Sequence, residues 1–566
     1  TTEIYTLSLH DALPISRGTI TMIDLKQYAG RWIARNENGE ITGTGKSCME
    51  ARSTSGAGTP VQFAWVSPHP PHLALPEWPL ELLRPLFAGK DVWLAGGAVR
   101  DLLLGRTLHD WDFTTAGPAM ALARQVANAL RGAYVTLDDE HDTARAIIRN
   151  PANGRPVTLD FAALRKPSIE ADLHCRDFTI NAIAMTLEGE IVDPTGGQAD
   201  LAAGIVRAAS DQAFHQDPAR LLRAVRAASE LGCRIEPATQ TLIREQAKAI
   251  TTVSAERIQA ELLRIVALEA AAPALRLTDS LSLLQWALPE VQGLQSVTQS
   301  YPHYRADAYT HTLDTLTTVE ALLTPASPEI AAQLPAPSWC WEMLDSTLAP
   351  LRGPLHAYLE EPLAAELPRH DLLKWGALLH DIGKSATRTV DAEERVHFYG
   401  HDKEGAALAE ERLNHLRFPN QACDFVTTMV REHMRLIGMS RTPPPTRRAI
   451  YHFYRDAGDA GPAVVLLALA DALAVWGPAM EKAYWSALLT TADALLRGYF
   501  EHHDEVVAPP PLLNGHDLTA MGIAPGPAMG KLLGLLREAQ AAGEITTRAD
   551  AEAFIHSHSS FLIPNS

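Results

Sequence analysis

The chain has 566 residues, 46% of them hydrophobic and 20% charged, which provides apolar content for several cores and excludes a disordered or fibrous class. Its 49 Lys and Arg stand against 67 Asp and Glu, a formal charge of −18. A uniformly basic nucleic-acid coat is therefore excluded, and any nucleic-acid contact must come from a local basic patch. Five cysteines, Cys48, Cys175, Cys233, Cys340 and Cys423, are dispersed without a CxxC pair. That spacing argues against a zinc ribbon or a disulfide framework and fits a reducing, cytoplasmic setting.

Thr6 to Ile15 reads like the translation of a sequencing-adapter oligonucleotide, so residues 1–21 are expected to be a disordered artefact, with fold reasoning starting near Met22. Residues 22–76 read as a small β-hairpin module and a linker. The hairpin is predicted over Trp32 to Gly45 around an Asn36–Gly39 turn, and the linker through Ser53–Gly58 and Pro68–Pro71. Residues 77–210 are predicted to form a compact α/β head with a mixed sheet. Strand Val92–Ala95 leads through a Gly96-Gly97 turn into a short helix ending near Leu104. A strand bearing Asp110 to Phe113, a helix over Pro118–Leu130, and strands around Tyr134–Thr136, Ala144–Arg149 and Val157–Phe161 follow.

From about Asp211 apolar residues recur at three- and four-residue spacing, as in Leu221, Leu222 and Val225, and the remainder is predicted to be all-α. It divides into a neck at 211–290, a second helical block at 291–485 and a tail at 486–566. Pro325 to Pro362, Pro443–Pro445 and Pro509–Pro511 are expected to be loops between helical blocks. The longest apolar run, Ala463 to Trp476, contains Asp471 and is shorter than the ~20 residues a bilayer requires, so it predicts a buried helix and no membrane span.

Asp110 and Asp112 lie two apart on a predicted strand, which points both carboxylates to one face, where they can hold hard cations. Asp160, on a later strand, can complete the set. Gly96 and Gly97 permit close approach of a phosphate, and Arg100 follows on the first helical turn. The chemistry these groups suit is phosphoryl or nucleotidyl transfer with two divalent ions. An isolated DxD pair is more often a solvated turn; the ordered motifs that follow it here carry the functional reading.

Those motifs are Leu94–Asp101 with Asp110-Trp-Asp112, then Arg176–Ala182, Asp193–Gly197, Gln216–Arg220 and Ser254–Ile258. In this order the chain resembles the class II nucleotidyltransferases of the CCA-adding tRNA nucleotidyltransferase and bacterial poly(A) polymerase type. The resemblance implies catalysis by Asp110, Asp112 and Asp160 with Mg²⁺ on the first two. It implies nucleotide binding by Gly96, Gly97, Arg100, Arg176, Asp177 and Asn181, and a flexible hinge at Asp193–Gly197. Asp217 and Arg220 are expected to present donors and acceptors from one helix to the incoming base, in place of a template. Gln216 stands where the family often has Glu. Arg223 and Arg226 extend a stripe that suits phosphate or, equally, a salt-bridged solvated face.

A second constellation begins at His380-Asp381, in an apolar segment ending Ile382-Gly383-Lys384. With His311 upstream and Asp471 downstream it resembles the HD phosphohydrolase superfamily, which assigns 291–485 as an HD domain. That resemblance implies a divalent metal, Ni²⁺, Mn²⁺ or Mg²⁺, held by His311, His380, Asp381 and Asp471, with His401 and His433 added when a second ion binds. Buried in an apolar helix, Asp471 needs a partner in any case. His516-Asp517 reads as a turn and helix cap.

Together these readings imply a cytoplasmic, template-independent tRNA nucleotidyltransferase. It would restore the 3′-terminal CCA from CTP and ATP, act on tRNA as a monomer or homodimer, and carry an HD domain with phosphohydrolase potential. Poly(A) polymerase, an enzyme adding only A or only C, and an HD phosphohydrolase with an inactive transferase domain are the alternatives.

Overall fold

A computed structural model describes residues 77–562 except 109, 152, 301–304, 324–333, 335 and 365, together with four strands upstream. The chain divides into two compact units, Thr1–Val253 with Ser280–Leu283, and Ser254–Asp279 with Leu284–Ser566. The division at Val253 falls inside the stretch expected as one neck.

The upstream strands are β1 (Ile4–Leu7), β2 (Arg31–Arg35), β3 (Ile41–Gly45) and β4 (Gln62–Val66). They form a sheet of order β1-β4-β2-β3, in which β2 and β3 make the expected hairpin and β1 runs parallel to β4. The disordered leader expected at 1–21 is thus corrected over Ile4–Leu7: those residues offer a fourth strand to an edge that would otherwise be unpaired. The expected linker segments Ser53–Gly58 and Pro68–Pro71, and the Asn36–Gly39 turn, lie outside the described residues.

The head opens with α1 (Glu77–Phe87), β5 (Val92–Ala95), α2 (Gly97–Leu103), β6 (Asp110–Thr115), α3 (Ala119–Ala129), β7 (Ala133–Asp138), β8 (Thr143–Arg149) and β9 (Pro156–Ala163). Two short strands, β10 (Ala184–Met185) and β11 (Ile191–Val192), complete a seven-stranded mixed sheet of order β11-β10-β5-β6-β9-β8-β7. Only β6 and β9 are parallel, with Asp112 facing Asp160 and Asp110 facing Thr158. Alternation along β6 decides which face each residue takes. Trp111 and Phe113 enter the core with Leu80, Leu83, Phe87, Leu122 and Val126, whereas Asp110 and Asp112 take the opposite face. Phe113 stacks on Phe161 at 5.3 Å, and Phe87 meets both rings edge-on, adding about 1 kcal/mol per pair beyond burial.

Beyond the sheet, α4 (Gly197–Ala202) starts where Asp193 accepts the Gly197 and Gln198 N–H groups. A Cβ on Gly197 would collide with the Thr179 carbonyl. The Asp193–Gly197 segment is therefore a closed, capped turn in this structure, built on Gly196 at φ +76°. Helix α5 (Arg220–Leu231) follows and ends at Gly232 in the left-handed region.

The second unit is largely helical. Its main helices are α6 (Ala255–Val266), α7 (Ala308–Leu323), α8 (Arg369–Leu379), α9 (His401–His415), α10 (Asn420–Glu432) and α11 (Gly461–Trp476). Past Asp211 the described residues are largely helical, as expected, with short strands only at Arg234–Ile235 and in two hairpins, Pro362–Ala364 with Leu367–Pro368 and Thr389–Val390 with Val396–His397. The loop expected from Pro325 to Pro362 is corrected, because it holds helices Ser338–Leu348 and Arg352–Glu360. Pro337 sits at a helix N-cap and Pro354 within a first turn, where no intrahelical N–H is required.

Buried charges brace this unit. Glu320 on α7 accepts the Ala271 N–H at 2.6 Å, and Lys374 on α8 donates to the Leu268 carbonyl at 2.5 Å, 3.8 Å from Glu320. In α11 every residue from Gly461 to Ala474 is buried, as the apolar run predicts. The wider stretch Arg447–Ala479 is long and apolar enough to cross a bilayer, but its apolar window is 94% buried inside the fold. In the tail, Asn514 and Asp517 form a capping box, the role expected for the second half of His516-Asp517.

Candidate functional site

In the head, β6 delivers Asp110, exposed, and Asp112, half-buried, to the sheet face opposite the aromatic core. Gly96, at φ +71°, closes the turn after β5; a Cβ there would stand 4.0 Å from Asp112 Oδ2 and 3.9 Å from the Asn181 carbonyl. The missing side chain keeps the approach to Asp112 open. At Gly97 a Cβ would lie 3.5 Å from Arg100 Nη2.

The motif residues, far apart in sequence, meet in one hydrogen-bond chain. Arg100 holds Asp101 with Nε and Nη2, at 2.9 and 3.0 Å, and donates Nη1 to Asn181 Oδ1 at 2.8 Å. Asn181 donates Nδ2 to Asp177 at 3.1 Å, and Arg223 Nη1 lies 3.3 Å from the other Asp177 oxygen. Burial alone would raise Asp177; Arg223, Asn181 and the Phe178 N–H reverse this and hold the carboxyl below its ordinary value. Arg176 donates to Thr114 Oγ1, on the carboxylate face of β6, at 2.9 Å and to Asp172 at 3.0 Å.

Asp160 lies beside Asp112 in the β6–β9 register, but Arg145 on β8 grips it with Nε at 2.7 Å and Nη2 at 2.8 Å. Asp112 is pushed up to about 6, first by burial and then by the neighbouring Asp160 and Asp110, against the opposing pull of Arg176 and Arg100. Crowded carboxylates of this kind are the donor set of a hard divalent cation, which relieves their repulsion. The residues present therefore fit such an ion at Asp110 and Asp112, with Asp160 already matched by Arg145.

The pair expected to read the base is placed differently. Asp217 is extended, at φ −152° and ψ 97°, in the break between helix Ala213–Gln216 and α5. It is not on one helix with Arg220, because Pro218 has no N–H to continue the preceding turn. Arg220 is 6% exposed and spends its guanidinium on the Cys175, Arg176 and Ala213 carbonyls, 3.9 Å from Asp217. Arg226 pairs with Glu230 at 2.8 Å, as the salt-bridged alternative for this stripe expects.

In the second unit six candidate ligands converge. His311 comes from α7, His380 and Asp381 follow α8, His401 opens α9, His433 follows α10 and Asp471 lies inside α11. His311 Nε2 is 3.0 Å from Asp471, 3.3 Å from Asp381 and 3.4 Å from His380 Nε2. His401 Nε2 lies 3.3 Å from His433 Nε2 and 3.6 Å from Asp381. Two triads, His311–His380–Asp381 and Asp381–His401–His433, each bring their donor atoms within 4.8 Å, so Asp381 is common to two metal-sized clusters.

Three imidazoles are oriented by the same local device. His380, His401 and His433 each donate Nδ1–H to the carbonyl three residues back, Ala377, Phe398 and Val430, at 2.8, 2.8 and 2.7 Å. A carbonyl only accepts, so Nδ1 carries a proton and Nε2 is the ring atom turned to the cluster. Gly383 lets α9 come close: a Cβ there would collide with the His401 carbonyl and stand 2.5 Å from the Gly405 nitrogen.

Burial would depress His380, yet Asp381 and Asp471 overcome it and push the imidazole up to about 10. His433 is driven down to about 4, first by burial and then by His380 and His401. Lys384, a residue that the sequence reasoning did not single out, places Nζ 2.6 Å from Asp381 Oδ2 and 2.5 Å from Gln299 Oε1. Its spacing of three from Asp381 is the signal that marks it. Arg145 had no such signal, because it reaches Asp160 only across paired strands.

Residues 92–207 match the poly A polymerase head domain, 232–294 the probable RNA- and SrmB-binding site of polymerase A, and 357–476 the HD domain. The chain is 32% identical to the A-adding tRNA nucleotidyltransferase of Deinococcus radiodurans, over 82% of this chain and 94% of that protein. It is 31% identical to the CC-adding tRNA nucleotidyltransferase of Thermus thermophilus, over 83% and 94%. A solved complex of a CCA-adding enzyme with CTP shares the fold, with a TM-score of 0.54 at 19% identity over 86% of this chain and 96% of that one. The fold and its two sites define a nucleotidyltransferase head joined in one chain to an HD domain. The chain belongs to the class II tRNA nucleotidyltransferases of the CCA-adding family, with head, RNA-binding and HD segments.

Proposed function

We propose that this tRNA nucleotidyltransferase completes the full CCA end, adding C, C and A from CTP and ATP without a template. The observation that supports nucleotidyl transfer is the head network, which joins Arg100, Asn181, Asp177 and Arg223 next to Gly96 and Asp112. Asp110 and Asp112 would hold Mg²⁺, which when bound would supply charge neutralisation at the α-phosphate and activation of the attacking hydroxyl. Gly96 leaves room for the phosphates, Arg100 and Arg176 offset the carboxylates, and Asn181 ties Arg100 to the neck residue Arg223 through Asp177. Arg220 supports the Cys175–Arg176 turn and so aims Arg176 at the β6 face. We place the enzyme in the cytoplasm, a setting that the free thiols Cys175, Cys233, Cys340 and Cys423 among the described residues suit.

The test is incubation with tRNA lacking CCA, CA or only A, with CTP and ATP separately and together, resolved at single-nucleotide length. Ordered C, C, A addition that stops is the expected result. Addition limited to A or to CC, the activities that the two similar relatives' names carry, overturns it.

The His/Asp cluster supports a second activity in the same chain, hydrolysis of a phosphate ester such as a 2′,3′-cyclic end. The five donors of its two triads, with Asp471 beside His311, suit Mn²⁺ or Ni²⁺, which would supply an activated water when bound. Ring opening of a 2′,3′-cyclic nucleotide by water to the 2′- or 3′-monophosphate with Mn²⁺ or Ni²⁺, lost in His380→Ala, is expected; no ring opening with any metal rejects it.

A further inference from the structure

Tyr399 is 78% exposed, the most exposed of the large hydrophobic side chains among the described residues. A tyrosine so placed adds little to a core, yet its ring is held. It stacks on His397 with centroids 5.1 Å apart and an interplanar angle of 11°. His397 Nε2 lies 2.8 Å from Asp391, and Arg395 grips the same carboxylate at 2.8 Å, so the short hairpin Thr389–His397 fixes the stack from beneath.

The residues on either side tie this ring to the metal-suited cluster. The Phe398 carbonyl accepts the Nδ1–H of His401, and the Phe398 ring centroid lies 5.4 Å from Lys384 Nζ, which pairs with Asp381. Gly400, at φ +78°, turns the chain so that His401 becomes the first residue of α9. Tyr399 thus projects from the loop that orients one candidate ligand and flanks the cation beside another.

We propose that Tyr399 is a stacking platform for the nucleobase next to the phosphate that enters the His/Asp cluster. Imidazoles and carboxylates around a metal recognise only the phosphate. An aromatic face adds attraction for any base without selecting among them, which suits RNA ends of varied sequence. The inference rests on the hydrolase reading of the cluster, and the experiment separates the two.

Calorimetric titration of the full chain with Mn²⁺ present compares adenosine 2′-monophosphate with base-free glycerol 2-phosphate, in wild type, Tyr399→Ala and Tyr399→Trp. Wild type is expected to favour the nucleotide by roughly tenfold. Tyr399→Ala abolishes that preference, Tyr399→Trp retains it, and binding of the base-free phosphate is equal in all three. Equal affinity for both ligands in wild type, or a preference that survives Tyr399→Ala, overturns the platform. Ring opening of 2′,3′-cyclic AMP to the monophosphate is followed in parallel. A Tyr399-dependent preference without ring opening upholds the platform and rejects the hydrolase; ring opening without the preference does the reverse.

Discussion

Asp112 and Arg220 show how one residue's surroundings set its task. With no cation bound, the Asp112 carboxyl, raised from 3.8 to about 6, stabilises the fold most at low pH and loses that contribution as pH climbs through 6. The rise is worth up to about 3 kcal/mol. In EDTA, thermal melts from pH 4 to 8 should therefore show wild type losing ground to Asp112→Asn. Mg²⁺ should restore wild type alone, and nucleotide addition by the variant should drop at least about a hundredfold. Arg220 answers to a different need, since its three carbonyl acceptors are main-chain groups. Arg220→Ala should cost about 2–3 kcal/mol in urea unfolding, because buried acceptors lose their donor. Unchanged unfolding with blurred choice between CTP and ATP would instead return Arg220 to the base.

At the level of elements, close packing places ligands that sequence spacing alone cannot. Helices α8 and α9 contribute His380, Asp381 and His401 because Gly383 presents no side chain to the His401 carbonyl and the Gly405 nitrogen. Gly383→Ala should push α9 away, destabilise this unit by about 1–3 kcal/mol and weaken Mn²⁺ binding measured by calorimetry. Lys374 and Glu320 hold the Leu268–Ala271 corner from α8 and α7, the helices that also lead to His380 and His311. Burial raises Glu320 to about 7 and lowers Lys374, so the pair gains little from its charge, and Lys374→Met is expected to be far better tolerated than Lys374→Ala. Comparison of urea midpoints tests this.

Across the whole molecule, two sets of donors differ in chemistry, and the function proposed above gives each set its own reaction. Oxygen-only Asp110 and Asp112 suit Mg²⁺, and the imidazole-rich cluster suits Mn²⁺ or Ni²⁺. Asp110→Asn should therefore abolish nucleotide addition while hydrolysis of a 2′,3′-cyclic phosphate persists, and His380→Ala should do the opposite. Loss of both activities in either variant, assayed on one folded preparation, would contradict two separate centres.

Much of this protein was legible in the residues themselves. The alternation that puts Asp110 and Asp112 on one face, the glycine pair after β5, the apolar run around Asp471 and the motif order all depend on neighbours a few positions apart, where backbone period fixes geometry. What only the tertiary structure decided involves partners distant in the chain. Arg145 reaches Asp160 across paired strands, and Arg220 turns to carbonyls some 45 residues away. Asp217 falls in a helix break, prolines thought to mark loops begin helices, and Lys384 finds Gln299. In each case a buried polar group had to find its partner, and packing between distant segments determined which one was within reach.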